Sequence, residues 1–286
     1  MENIKNMFEK IKTAPLLRAN KESSGYAVAK KIIQLNQPAT LIYLDEDQKF
    51  LDRMECFLSF ILEKKISKIY NLKQNNNVIA DRTYNNLSTI YQLISNQNNS
   101  KINVILSKPE AIFNKYPAKQ PILQSALTLK KGDIVDSYFS NILIEYSYER
   151  NDTIRSFGEF AIRGEIIDIS CMENSLGYRI HLDNDRIDKI TLLDLTTQLS
   201  IQEEYTISII PIDIKYFNLT ENIISLLEIE YLFVQSLEMI EESYRQFQYD
   251  LSIFKQDNSN CQINLWTEEE ITNIFQKFQI YTLPAF

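Results

Sequence analysis

The sequence predicts an α/β fold, a doubly wound parallel sheet interrupted by a β-rich inserted domain of α+β character. Three observations carry this. Short apolar runs alternate with helix-period segments over the first 118 or so residues, the pattern of strands covered by helices on both faces. Around Pro117 and Pro121 the texture changes, and strand patterns separated by turn residues dominate up to Pro211. Helical periodicity then returns. The expected division is therefore 1–118 and 212–286 as two parts of one α/β domain, with 119–211 inserted between them.

The elements follow in order. A helix is expected over 23–35, then a strand in ATLIYLD (39–45). Residues 48–62 place Phe50, Leu51, Met54, Phe57, Leu58, Ile61 and Leu62 at helical spacing. ISKIYNL (66–72) and INVILS (102–107) are strands, with a periodic segment over 84–94 between them. The Asn-rich stretches 75–77 and 96–99 are expected to be loops. In the insertion, a helix over 134–144 precedes the strands of RSFGEFAIRGEIIDIS, GYRIHLD, DRIDKITLLDL and EYTISIIP. Beyond Pro211, helices are expected at 221–227, 233–254 and 267–278, with short strands at 230–232 and 262–265.

Composition narrows the function classes. Only five of the 286 residues are glycine, where average usage of about 7% would give roughly 20. Loops that cradle phosphate need several glycines close together. With 30 Lys and Arg against 38 Asp and Glu, the net charge is −8, which supplies no basic footprint for general nucleic-acid binding. Cys56, Cys171 and Cys261 are odd in number and far apart, so reduced, partly buried thiols are expected rather than a disulfide framework or a zinc site. No apolar run approaches the ~18 residues of a membrane span, and the charged, amphipathic start lacks a signal-peptide core. A soluble cytoplasmic protein is the expectation.

Candidate chemistry is sparse. A phosphate loop requires GxxxxGK[ST], whereas Gly25 in ANKESSGYAVAKK stands without the partner glycine and without the following Lys-Ser/Thr pair. Asp183, Asp185 and Asp188 resemble the start of a calcium loop, but Asp188 and Asp194 occupy the positions that need Gly and Glu. An acidic solvated turn is expected there. His181 is the single histidine; it alternates with Tyr178, Ile180 and Leu182, so Arg179, His181 and Asp183 share one strand face. No catalytic, metal or cofactor site emerges. The densest signal is GEFAIRGEIIDIS (158–170). Phe160 and Ile162 lie on one alternation phase, Ile167 and Ile169 on the other, which predicts a bulge at Gly164 that projects Arg163. Arginine at such a place suits a protein interface, because its planar fork makes several directed hydrogen bonds.

The run GEFAIRGEIIDIS, then YRIHLDNDRIDKITLLDLTTQLSI and a closing IIP, resembles the N-terminal module of bacterial transcription-repair coupling factor, itself similar to the damage-recognition protein UvrB. The preceding LTLKKGDIVD also fits, as the strand and K-G-D turn that open the family's inserted domain. The resemblance is in outline across the chain and strong over 127–211. It implies that the flanking α/β domain is a degenerate P-loop-type fold, and that the insertion contacts UvrA, the repair ATPase. Carried over by motif, Arg163 and Arg179 are the contacting arginines. The family's third contact, an aromatic, falls on Asp183, which is expected instead to pair with Arg179. The implied function is a non-enzymatic interaction module in transcription-coupled nucleotide excision repair, without cofactor or direct nucleotide binding. Polymerase-binding and translocase parts are expected outside this chain. Two alternatives are a UvrB-like DNA-binding protein and a degenerate split-gene fragment that no longer binds UvrA.

Overall fold

A computed structural model describes residues 13–15, 21–62, 66–72, 86–95, 101–171, 175–213, 216–257 and 265–283. The proposed loops at 75–77 and 96–99, Cys261, and all but the last residue of the 262–265 strand lie outside these. Strand β1 (Thr13–Pro15) is followed by helix α1 (Ser24–Gln34), which buries Ala27, Val28 and Ile32. Strand β2 (Thr40–Leu44) leads to α2 (Gln48–Leu62), buried through Phe50, Leu51, Met54, Leu58 and Leu62 at the predicted spacing. A Cβ at Gly25 would sit 3.1 Å from Phe57 Cδ1, so this glycine serves close approach of α1 to α2. Next come β3 (Ile66–Leu72), α3 (Leu87–Ser95), β4 (Ile102–Ser107), α4 (Glu110–Phe113) and the short β5 (Tyr116–Pro117).

After α5 (Lys119–Gln124), strand β6 (Leu127–Lys130) ends in a turn in which Gly132 has φ +91° and Asp133 accepts from Lys130 N at 2.9 Å. The helix expected over 134–144 begins late, as α6 (Phe139–Glu145). Its first residues are instead drawn into extended pairing: Val135 N donates to Asp185 O, and Ile134 bridges Arg186. Asp136 then accepts from Tyr138 N at 2.9 Å, starting the helix three residues further on. The strands that follow are β7 (Glu149–Arg150), β8 (Glu159–Arg163), β9 (Ile166–Ile169), β10 (Leu176–Asp183), β11 (Arg186–Asp194), β12 (Ser200–Glu204) and β13 (Thr206–Ile209). They form a six-stranded mixed sheet in the order β12-β11-β10-β9-β8-β7, while β13 pairs with β6. Only β7 runs parallel to its neighbour.

Gly164 is not a bulge. It is the first residue of a two-residue turn joining β8 to β9, with φ +60° and Arg163 paired directly with Ile166. The hairpin explains the change of phase, because Phe160 and Ile162 lie opposite Ile169 and Ile167 on one face.

The chain returns through β14 (Leu219–Glu221) to α7 (Ile223–Leu226), capped by Asn222, which accepts from Ile224 N at 2.8 Å. Strand β15 (Tyr231–Val234) takes residues expected to open a helix, and helix α8 (Leu237–Asp257) starts after it. The reason is burial: Leu232, Phe233 and Val234 are all enclosed, as in a strand covered on both faces. Helix α9 (Glu268–Phe275) carries a capping box between Thr267 and Glu270, and β16 (Gln279–Thr282) closes the chain. The second six-stranded sheet has the order β1-β16-β15-β2-β4-β3 and is parallel throughout. Strands β4 and β3 lie on one side of β2, with β15 and β16 on the other. Both alternation phases of β2 and β4 are buried. The chain divides into two compact units, residues 1–86 with 95–118 and 219–286, and residues 87–94 with 119–218.

Candidate protein-interaction surface

The mixed sheet has two chemically different faces. Phe160, Ile167, Ile169, Ile180, Ile187 and Ile190 point inward and pack with Leu129, Phe139, Leu143 and Ile207. On the outer face, Ile154, Ala161, Leu193 and Leu195 form a small apolar cluster. Beside it the outward phase turns polar. Across the register, Ala161, Asp168, Arg179, Thr191 and Glu203 form one row of direct neighbours.

Gly177 lets this register close. A Cβ there would lie 2.7 Å from Ile169 O, so β10 approaches β9 as only glycine permits.

Asp168 is the centre of the row. Its carboxylate is fully buried, and both oxygens are occupied by guanidinium groups. Arg179 donates through Nε to Oδ1 at 2.7 Å and through Nη2 to Oδ2 at 2.9 Å. Arg163 donates from Nη2 to Oδ2. The third nitrogen of Arg179, Nη1, donates to Gln198 O at 3.4 Å. Gln198 itself sits at φ +61°, its amide tied to Ile154 O and Leu195 O. The forked pair with Asp168 raises the Arg179 pKa above its already high value.

The two arginines differ in exposure. The Arg179 side chain is 18% exposed and that of Arg163 is 43% exposed. Arg163 stands at the end of β8 and, with Arg150, Asn151, Asp152 and Ile162, lines a cleft of about 480 Å³.

The structure brings Arg163 and Arg179 together on Asp168, but Asp183 does not join them. It is exposed at the β10–β11 hairpin and accepts from Asn184 Nδ2 at 2.9 Å. The expected Arg179–Asp183 pair is therefore replaced by Arg179–Asp168. Along a strand, four residues span about 13 Å, whereas directly opposed residues on neighbouring strands have Cβ atoms about 5 Å apart. Asp168 lies directly opposite Arg179. Its signal is nonetheless present in the sequence: a lone acid between Ile167 and Ile169, on the phase that faces away from the core.

The acidic turn is a two-residue connection with Asn184 at φ +48° and Asp185 at φ +64°. Asp188 pairs with Lys131 at 3.3 Å. Asp183 and Asp188 thus have separate local partners, and the described residues hold no acidic cluster suited to a metal ion. Of the thiols, Cys171 is buried and Cys56 exposed, both free.

In the parallel-sheet unit, Lys21 Nζ lies 2.7 Å from Asp45 Oδ1 at the end of β2 and 5.1 Å from the centroid of the Phe50 ring. No helix among the described residues is long and apolar enough to cross a membrane.

Comparison with known proteins bears on the unit that carries the arginines. Residues 127–214 match the family model described as the UvrB interaction domain. The transcription-repair-coupling factor of Rickettsia prowazekii is 35% identical over 127 residues, 44% of this chain and 11% of that protein. That of Escherichia coli is 25% identical over 168 residues, 58% of this chain and 14% of that protein. UvrABC system protein B of Vibrio parahaemolyticus is 32% identical over 109 residues, covering 36% of this chain and 16% of that protein. The chain therefore spans only a small part of the length of these relatives. Residues 127–214 are thus similar to the UvrB interaction domain, and the chain that carries them is similar to transcription-repair coupling factor.

Proposed function

We propose that the chain is a protein-interaction module of transcription-coupled nucleotide excision repair, and that its β-rich unit contacts UvrA. In this reading the module performs no catalytic step and binds no nucleotide, and it acts in the cytoplasm. Residues 119–211 are the UvrA-contacting insertion, and 1–118 with 212–286 are a degenerate P-loop-type doubly wound domain that carries it. Arg163, Arg179 and Asp183 mark the contact surface, by the motif positions they occupy.

The observation that supports this best is a cationic group on the outer face of the segment that matches the UvrB interaction domain. One buried carboxylate holds two arginines, which leaves a net positive charge at the surface. Arg163 is the more exposed of the two arginines, with 43% of its side chain open to solvent against 18% for Arg179. The surplus cation suits an acidic group on a partner, where directed arginine contacts are frequent anchors.

Immobilised cognate UvrA provides the test. Wild-type chain should be retained, and Arg163→Glu should lose roughly 30-fold or more in affinity, the loss expected of a central anchor worth about 2 kcal/mol. An unchanged circular-dichroism spectrum would accompany that loss. Equal retention of wild type and variant would refute the assignment.

A further inference from the structure

We propose that Asp168 is a positioning residue for the partner contact: with Arg179 as a brace, it holds the Arg163 guanidinium in the orientation that a partner carboxylate meets. The inference rests on reading this face as the UvrA contact, and it gives the two arginines different tasks.

Arg179 is committed inward. Its Nε and Nη2 form a two-pronged pair with both oxygens of Asp168, and Nη1 reaches Gln198 O. All three nitrogens are thus engaged, and little of the side chain meets solvent. Arg163 is committed through Nη2 alone. Among the described residues no hydrogen bond engages its Nε or Nη1; Arg163 lines the cleft with Asn151 and Asp152, and its side chain is more than twice as exposed. A second arginine on an already satisfied carboxylate adds a charge the pair does not need. What it gains is a fixed direction.

The physical consequence is preorganisation. A long, unrestrained arginine loses rotamer freedom when it binds, whereas one already tethered loses less. Removing the tether should weaken binding by about tenfold, near the upper end of the cost of immobilising one rotamer-rich side chain. Asp168 meets no partner itself, so its effect must pass through Arg163.

That route is what the experiment reads. Affinity for cognate UvrA is measured for wild type, Asp168→Asn, Arg163→Ala and the double variant. Arg163→Ala should weaken binding roughly 30-fold and Asp168→Asn about tenfold. The double variant should bind no more weakly than Arg163→Ala alone, since coupled residues are not additive. Multiplicative losses would overturn the proposal, and so would Asp168→Asn binding as wild type does. A second measurement needs neither the partner nor a variant. Side-chain nitrogen relaxation in the unbound wild-type protein should show the Arg163 guanidinium ordered to a degree comparable with Arg179, and a freely rotating Arg163 would overturn the positioning role by itself. If Arg163 is ordered but wild type does not bind UvrA, the reading of the surface has failed, and the proposal falls with it.

Discussion

At the residue scale, the Arg163–Asp168–Arg179 group turns on what happens when one member is removed. Arg179→Glu would place a carboxylate against the buried Asp168 and leave two negative charges with only Arg163 to meet them. Breaking a buried ion pair in this way costs about 3–5 kcal/mol. Arg163→Ala leaves Asp168 with its two-pronged Arg179 pair and removes a partly exposed contact, for which about 1 kcal/mol or less is expected. Urea denaturation should therefore separate the arginines, with a large drop in midpoint for Arg179→Glu and a small one for Arg163→Ala. Equal drops would show that the two are structurally equivalent. Both arginines were legible in the sequence, because each sits in a motif whose spacing marks it. Asp168 was not, because its role depends on which residue of β10 lies opposite it. Alternation gives a side chain's face, whereas register gives its neighbour.

At the scale of elements, two glycines of the β-rich unit are required for different reasons, and substitution should tell them apart. Gly164 opens the β8–β9 turn at φ +60°, and an added Cβ there meets nothing within 4 Å. Gly164→Ala should cost about 1–2 kcal/mol from backbone conformation alone. Gly177 has no such φ, but its Cβ would press on Ile169 O at 2.7 Å. Gly177→Ala must push β9 and β10 apart, at about 1–3 kcal/mol, and should also disturb the Asp168–Arg179 pairing two residues along β10. Amide hydrogen exchange would read the difference: faster exchange confined to the turn for Gly164→Ala, but spread along β9 and β10 for Gly177→Ala. The same region shows where sequence patterns stop being sufficient. Periodicity placed α2, β3 and β4 at their observed bounds, because α2 carries a long helical repeat and each strand is an apolar-rich run. It mistook the hairpin for a bulge, since both reverse the alternation phase. It also extended helices into 134–138 and 233–234, where pairing with β11 and burial in the parallel sheet prevail over local preference. The four-residue β16, with no long pattern of its own, was missed.

At the scale of the whole molecule, both compact units enclose groups that must remain protonated. Burial pushes the Tyr43 hydroxyl up to about 12 in the parallel-sheet unit, and the Cys171 thiol likewise up to about 12 in the β-rich unit. Tyr148 and Tyr178, also in the β-rich unit, are raised by burial as well. In the unfolded chain these groups ionise near their ordinary values of about 8.5 for Cys and 10 for Tyr. The folded protein keeps their protons longer, so their contribution to stability is full below those values and is lost as pH rises from there toward the folded-state values. Asp47 and Glu270 run the other way. Both are held below the ordinary carboxylate range, where backbone amides of their own turns donate to them. Their contribution is present at neutral pH and is lost as pH falls through the lowered values; both are only partly buried, so solvent screening keeps it small. Stability should therefore be flat between about pH 6 and 8 and fall steeply above about pH 9, with a gentler decline at acid pH. Urea midpoints followed by far-ultraviolet circular dichroism at closely spaced pH values would establish the profile. A midpoint unchanged up to about pH 11 would mean that these hydroxyls and the thiol are not enclosed as described. Cys171→Ala offers a sharper check, since it removes one of these ionisations: the alkaline fall should become shallower, even as the lost packing lowers stability at neutral pH.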